Sequence, residues 1–126
     1  ELFLGTINDF IKTADDEKEL KIDEYGNLYF QTIYSSDKIS VQNLSSGEKQ
    51  LVIFFANLIF RVKGNSSGIF VVDEPEISLH LSWQKTFVEK ALNINKNIQL
   101  IFATHSPELI GKYRNKTFRL VKEYIG

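Results

Sequence analysis

Two carboxylates and a histidine stand directly after apolar stretches of the sequence, and they are the side chains best placed for chemistry. Asp73 and Glu74 follow IFVV, and His105 follows IQLIFAT. A short, continuous apolar run is typical of a strand buried on both faces of a parallel sheet. Ligands of such sheets bind beyond the carboxyl ends of the strands. One carboxylate could therefore hold Mg²⁺, the other could orient or deprotonate a water molecule, and His105 could contact a terminal phosphate.

Each of these stretches also has a simpler structural interpretation. An acidic turn commonly ends a strand, and His105 could cap the turn before a helix that Ser106-Pro107 opens. A zinc site is disfavoured because His80 and His105 supply too few ligands. The order of the stretches along the chain, and not any one of them, therefore has to carry the functional argument.

The stretch NLSSGEKQ, residues 43–50, precedes a long apolar run. Ser45 and Glu48 have the spacing of a capping box, in which two side chains accept hydrogen bonds at a helix N-terminus. The same N-terminus presents free N–H groups and the positive end of the helix dipole. Ser45 and Ser46 add hydroxyl donors, and Gly47 would let the backbone approach an anion. The stretch thus suits a helix cap and equally suits a phosphate site.

Apolar residues at helical spacing predict three main helices. They cover about residues 1–14, residues 47–63 and a segment that runs from DEPE to about Leu92. A short helix is predicted in HSPELIGKY. The third main helix would turn three large side chains inward: Trp83, Phe87 and Val88.

Strand patterns lie between these helices. Residues 20–34 predict two short strands around a turn at Tyr25-Gly26-Asn27, and ISVQ predicts a third. IFVV, IQLIFAT and residues 117–124 predict three more. Because strands and helices alternate after residue 43, we expect an α/β sheet with parallel central strands, preceded by a small antiparallel β hairpin.

The composition is that of a globular domain: 126 residues, 43% apolar, 25% charged, with a net charge of −1. The charge argues against a generally basic, nucleic-acid-binding surface. The absence of cysteine excludes disulfides and thiol catalysis, and no run approaches the roughly 20 residues of a membrane span. We therefore expect a cytoplasmic protein without a membrane partner. Because the chain begins at Glu1 and contains no methionine, we expect it to be part of a longer protein.

The order of the motifs resembles the C-terminal half of an ATP-binding-cassette (ABC)-type ATPase head over about residues 40–112. LSSGE, residues 44–48, looks like the signature motif of that superfamily. Residues 69–74 look like its Walker B strand with the catalytic glutamate. Residues 78–80 stand where its D-loop should be, and His105 stands where its switch histidine should be.

Departures from the transporter pattern indicate a particular branch. The commonest transporter signature has Gly where Ser46 stands and Gln where Glu48 stands, and the D-loop acid is His80 here. DEPE-x-x-LH followed by THSP is instead similar to the SMC, RecF and OLD-like ATPases, which act on DNA or in defence against phage. Within that set, the short hairpin before NLSSGEKQ looks most like ATPases of the Septu and retron-associated defence systems.

The resemblance implies one partial domain over 1–126, in which 1–43 form a helix and β-hairpin region and 44–126 form the lobe with the signature, Walker B and H-loop motifs. The P-loop pattern G-x-x-x-x-G-K-[ST] is absent, because none of the seven glycines opens it. In the resembled P-loop NTPases that loop, also called Walker A, lies in an N-terminal lobe. That lobe would be the first partner of this chain.

The resemblance also implies hydrolysis of ATP with Mg²⁺ in a head-to-head homodimer. Asp73 would hold Mg²⁺, Glu74 would polarise the attacking water, and His105 would contact the γ-phosphate of the same nucleotide. The signature residues implied to contact the nucleotide of the other protomer are Ser45, Ser46, Gly47 and Glu48. The residues implied at the dimer seam, close to nucleotide, are Ser78 and His80.

Two other functions are open at this point. In the first, ATP binding gates a scaffold that holds a partner nuclease or DNA with little turnover. In the second, Asp73, Glu74 and Glu76 bind a cation for nuclease chemistry. The nuclease is disfavoured because Pro75 fixes the chain between the acids and no further acid cluster follows.

Overall fold

The computed structural model describes residues 2–14, 17–62 and 66–118. Within these ranges the helices are α1 (Leu2–Ala14), α2 (Ser46–Ala56), α3 (Leu81–Ile94) and the short α4 (Pro107–Ile110). A π turn, Asn57–Arg61, continues α2. The predicted helices are therefore present, although the second leaves α-helical geometry before residue 63. The third begins only at Leu81, because a 3₁₀ turn over Pro75–Ile77 comes first. None of the helices formed by the described residues is long and apolar enough to cross a lipid bilayer.

The described strands form two separate sheets. The first is antiparallel in the order β1-β2-β3 and the second is a parallel pair, β4-β5. Helix α3 connects the parallel strands, as the alternating pattern predicts. The predicted strand over 117–124 lies largely outside the described residues. The strands are β1 (Lys18–Ile22), β2 (Leu28–Thr32), β3 (Lys38–Ser40), β4 (Gly68–Asp73) and β5 (Ile98–Ala103).

Local turn chemistry sets the register of the hairpin. The Asp23 carboxylate accepts hydrogen bonds from the backbone N–H groups of Tyr25 at 2.9 Å and Asn27 at 2.8 Å. Gly26 lies between them with φ of 85°, a conformation that glycine adopts without steric cost. The third strand ends earlier than predicted because Ser40 caps a 3₁₀ turn over Val41–Asn43.

Phenylalanine side chains form the centre of the core. Phe87 of α3 lies 4.7 Å from Phe54 and 5.6 Å from Phe55 between ring centroids, and 5.9 Å from Phe102 of β5. Phe10 brings α1 into the same cluster. Trp83 is buried as predicted, and its indole N–H donates to the Phe10 carbonyl at 2.7 Å. These contacts place α2 and α3 against one face of the parallel strands, and α1 packs on these two helices.

The prediction that both faces of β4 and β5 are buried is wrong for this chain. Side chains alternate in exposure along β4, and Ile69 and Val71 are 67% and 72% exposed. Ile101 of β5 is also exposed. The reason is that the helices pack on the face that carries Phe70 and Phe102, whereas no described element covers the other face.

Candidate functional site

The parallel strands end side by side, and this brings the candidate catalytic residues together. Asp73 is paired in register with Ala103, and the Glu74 N–H donates to the Ala103 carbonyl at 2.7 Å. Glu74 and His105 are therefore adjacent at the carboxyl edge of the sheet. The distance between Glu74 Oε1 and His105 Nε2 is 4.0 Å. This edge is where the sequence predicts a ligand to bind.

Glu74 has a strained backbone. Its φ of 45° and ψ of 55° are left-handed, and it is the one non-glycine residue with positive φ among the described residues. This conformation costs about 1–2 kcal/mol for an L-residue. The buried Pro75 that follows accepts hydrogen bonds at its carbonyl from Ser78 and Leu79, and these hold the turn. Strain of this kind is concentrated at functional sites.

Asp73 and His105 are open to a ligand. The His105 side chain is 91% exposed and the Glu74 side chain is 46% exposed. Asp73 is exposed, and among the described residues its carboxylate has no hydrogen bond or ion pair. No three His, Cys, Asp or Glu side chains converge on a metal-sized site within the described ranges. A lone free carboxylate fits Mg²⁺, which takes one or two carboxylates and completes its shell with phosphate oxygens and water.

Glu76 holds the loop that carries His105. Its Oε2 accepts from the Thr104 hydroxyl at 2.6 Å, and its Oε1 accepts from the His105 N–H at 2.8 Å. Burial by itself would raise the pKa of Glu76, but these hydrogen bonds outweigh it and the pKa lies below its ordinary value. Because this carboxylate is engaged inside the protein, a three-acid nuclease site with Asp73 and Glu74 is further disfavoured.

The predicted capping box is present at the start of α2. Ser45 Oγ accepts from the Glu48 N–H, and Glu48 Oε1 accepts from the Ser45 N–H, each at 3.2 Å. The other carboxylate oxygen, Oε2, pairs with Lys18 of β1 at 2.9 Å. Glu48 is thus buried, and the ion pair with Lys18 holds an Oε2 atom that accepts no hydrogen bond among the described residues, whereas Ser45 and Ser46 are exposed. The structure gives Glu48 the role of shaping the loop.

Gly47 is required by packing against residues 78–80. A Cβ at this position would lie 2.4 Å from the Ser78 carbonyl oxygen and 3.2 Å from the Trp83 ring. The Ser78 hydroxyl donates to Gln50 Oε1 of α2. His80 caps α3, because its Nδ1 accepts from the Ser82 N–H at 3.2 Å. The sequence predicts that Gly47 admits an anion, and the structure adds a second reason for glycine there.

The predicted site residues therefore form two groups. One group lies at the sheet edge and comprises Asp73, Glu74 and His105. The other lies at the start of α2 and against it, and comprises Ser45, Ser46, Gly47, Glu48, Ser78 and His80. Within the described part of the chain, no hydrogen bond or ion pair joins Glu74 or His105 directly to the two signature serines.

Sequence reasoning missed three residues that hold these groups in place: Lys18, Glu76 and Gln84. Glu76 appeared only as a possible metal ligand, and its position beside the THSP loop was the available signal. Gln84 was detectable as a polar residue on the apolar face of a helix between Trp83 and Phe87, a position that calls for buried hydrogen bonds. Nothing in the sequence pattern pairs Lys18 with Glu48.

Comparison with known proteins places this geometry in a family. Residues 2–111 match the family described as AAA domain, putative AbiEii toxin, Type IV TA system. The chain belongs to this family. As an AAA domain, it carries its signature-like and Walker B-like segments within the matched range.

Individual relatives of this AAA domain include a probable ATPase of a retron and a Septu protein. The retron Vc95 probable ATPase of Vibrio cholerae serotype O1 biovar El Tor is 32% identical over 127 residues, which cover 93% of this chain and 25% of that protein. The Septu protein PtuA of Bacillus thuringiensis is 29% identical over 87 residues, covering 60% of this chain and 22% of that protein. The predicted relationship to retron and Septu ATPases is confirmed. The chain spans about a quarter of the length of these relatives.

A solved structure shows the same fold. It is the SmcHead bound to the C-winged helix domain of ScpA, which superposes with a TM-score of 0.57 at 17% identity. The match covers 86% of this chain and 36% of that chain. The predicted α/β fold class, with parallel strands and flanking helices, is therefore confirmed, and the fold resembles part of an SMC ATPase head.

Proposed function

We propose that this chain is the signature, Walker B and switch-histidine half of an ABC-type head that binds and hydrolyses ATP as a homodimer. The observation that carries the proposal is that Glu74 and His105 lie side by side beyond the carboxyl ends of β4 and β5, which are paired in register. Both side chains are open to a ligand, and Glu74 keeps a strained backbone there. The retron relative is likewise named a probable ATPase.

Each residue at the sheet edge has a distinct role in this proposal. Asp73 holds Mg²⁺, directly or through water, because its carboxylate is exposed and has no partner among residues 2–14, 17–62 and 66–118. Bound Mg²⁺ would offset the charge of the phosphate oxygens during phosphoryl transfer. Glu74 orients the attacking water and accepts its proton. His105 donates to the terminal phosphate and so responds to its presence.

The start of α2 serves the nucleotide of the other protomer. The exposed hydroxyls of Ser45 and Ser46 stand at a helix N-terminus, where free N–H groups and the helix dipole favour an anion. Gly47 and Glu48 act indirectly, since Gly47 packs on Ser78 and Glu48 completes the cap. Ser78 and His80 lie at the seam between protomers.

The uncovered sheet face is a surface on which a partner lobe that carries the Walker A loop could pack. Between α2 and β4 lies a groove of about 830 Å³, lined largely by apolar side chains that include Ile53, Ile69 and Val71. Parallel sheets are normally covered on both faces. The relatives extend to about four times the matched length, which leaves room for such a lobe.

The relatives also motivate a cellular role. We place the protein in a defence system of the retron or Septu type, where a nuclease or DNA would be the partner of the ATPase head. Protection against phage, scored by plaque formation on a host carrying the complete system, should be lost with Glu74→Gln. Full protection by that variant would separate defence from ATP turnover.

The central test measures ATP turnover and oligomeric state together in the complete protein. Glu74→Gln should reduce turnover by at least about a hundredfold, because it removes the general base. It should also retain an ATP-bound dimer. Glu89→Gln is the matched control, because it neutralises an exposed carboxylate on α3 and should leave turnover unchanged.

Two results would change the proposal. If the Glu74→Gln variant hydrolysed ATP at the wild-type rate, Glu74 would not be the general base. Equally low turnover in both proteins, with assembly that a non-hydrolysable nucleotide supports as well as ATP does, would favour the ATP-gated scaffold.

A further inference from the structure

A buried amide connects the two groups of site residues. Gln84 of α3 is 7% exposed and Ser106, next to the candidate switch histidine, is 6% exposed. The Ser106 hydroxyl donates to Gln84 Oε1 at 2.5 Å, and Gln84 Nε2 donates to the Leu79 carbonyl at 3.0 Å. One side chain therefore bonds the loop after β5 and the segment at residues 78–80 at the same time.

The hydrogen bonds continue on the side of the sheet edge. The Ser106 N–H donates to Thr104 Oγ1 at 2.9 Å, and the Thr104 hydroxyl donates to Glu76 at 2.6 Å. Glu76 also accepts from the His105 N–H. The backbone of His105 is thus held within this chain of bonds, while its imidazole stays exposed.

The contacts continue on the side of α2 as well. Leu79 follows Ser78, whose hydroxyl donates to Gln50 and whose carbonyl touches Gly47. At Gly47 there is no room for a side chain between the two backbones. Residues 78–80 therefore cannot shift unless the start of α2 moves with them.

We infer that Gln84 is a positioning residue that couples the His105 loop to the signature segment of the same protomer. This inference rests on the proposed function, in which His105 serves one nucleotide and the signature serines serve the other. The physical reason is that each buried polar group of the bridge is satisfied only when both segments are in place. Gln84 would thereby link the two nucleotide sites that a single protomer helps to form.

Gln84→Met in the complete protein tests the inference, because methionine keeps the length of the side chain and removes both hydrogen bonds. Turnover at saturating ATP should fall by about tenfold, whereas the Kd for ATP should change by less than about twofold. Lys85→Met is the control, since Lys85 is the exposed neighbour on α3 and its variant should match wild type.

A double-mutant cycle tests whether the bridge acts as a unit. Ser106→Ala removes the hydroxyl that donates to Gln84. If the bridge couples the segments, the double variant should turn over ATP no more slowly than the worse single variant. If the fold-losses of turnover in the two single variants multiply in the double variant, the inference is overturned. It is also overturned if ATP affinity falls as much as turnover, because Gln84 would then act only as an ordinary core residue.

Amide hydrogen exchange keeps this test independent of the ATPase proposal. Gln84→Met should increase exchange in both residues 78–80 and 104–109 of the complete protein, even if the wild type proves inactive. An increase in exchange that is confined to the α3 segment around residue 84 would overturn the coupling. Absence of wild-type turnover together with increased exchange in both segments would instead reject the proposed function and retain the bridge.

Discussion

Glu76 shows how one carboxylate can hold in place the loop that carries His105. Its two oxygens accept from the Thr104 side chain and the His105 backbone. A charged acceptor makes such bonds roughly twice as strong as neutral ones. The lowered pKa of Glu76 records this preference for the ionised form.

The lowered pKa predicts a pH-dependent stability that Glu76→Gln should remove. Because the folded-state pKa lies below the ordinary value of 4.5, the contribution is complete above that pH and is lost as the pH falls through the folded-state pKa. The free energies of unfolding of wild type and Glu76→Gln, measured by chemical denaturation, should therefore converge as the pH is lowered below 4.5. Glu108→Gln is a control on α4. A constant difference across the range would contradict the assignment.

At the scale of elements, α2 is held from two sides. Gly47 lets residues 78–80 approach the first turn of the helix, and the Lys18–Glu48 ion pair ties the same turn to β1 of the antiparallel sheet. The signature segment is therefore positioned by neighbours that are distant in the sequence.

Gly47→Ala should separate α2 from residues 78–80. The added methyl would meet a backbone oxygen at 2.4 Å, which cannot rotate away. We expect a loss of about 1–3 kcal/mol in the free energy of unfolding and no ATP-dependent dimer. Gly5→Ala is the control, because no described residue outside the local turn of α1 has an atom within 4 Å of its Cβ position. This variant should stabilise by about 0.5–1 kcal/mol. Equal stability of the two variants would contradict the packing argument.

Lys18→Met should destabilise the start of α2 through Glu48. The Glu48 side chain is 8% exposed, so the variant leaves a buried carboxylate oxygen without its cation. We expect a cost of about 1–3 kcal/mol in urea denaturation. Lys21→Met is the matched control, since its partner Glu19 is 4.0 Å away and both side chains are exposed. That control should stay within about 0.5 kcal/mol of wild type, and a similar loss for both variants would remove the special role of Lys18.

At the scale of the whole molecule, one face of the parallel sheet is apolar, and no element of the described residues covers it. Ile69 and Val71 are exposed on β4, and Ile101 is exposed on β5. Their alternation with Phe70 and Val72, which are partly buried against the core, produces the continuous apolar runs seen in the sequence. Such runs are typical of strands covered on both faces.

Val71→Asn tests whether this face is covered in the complete protein. If the proposed lobe packs there, burying an amide should cost about 2 kcal/mol of stability. Ile33→Asn is the control, because Ile33 is comparably exposed at 67% but lies beyond β2 and away from the groove. Thermal or urea unfolding of both variants measures the difference. If both variants lose equally little stability, the exposed face of the β4-β5 sheet stays in contact with water in the complete protein.

Much of the fold could be predicted because its signals are local. The Ser45–Glu48 capping box, the turn at Gly26 and the period of the apolar residues involve only neighbours in the chain. The position of Glu74 and His105 beyond strand ends follows from the same patterns, since parallel strands end at a common edge. The assignment of roles to those residues remains a prediction.

The sequence by itself determined the order of the elements, the cap of α2 and the candidate residues at the sheet edge, because each depends on spacing along the chain. Only the tertiary structure decided which distant groups meet: Lys18 with Glu48, Gln84 with Ser106, and Gly47 with Ser78. It also decided that one face of the β4-β5 sheet is left exposed by the part of the chain that the structure describes. The physical reason is that such contacts depend on how helices and strands pack in space, and hydrophobic periodicity specifies which face is buried but not what lies against it.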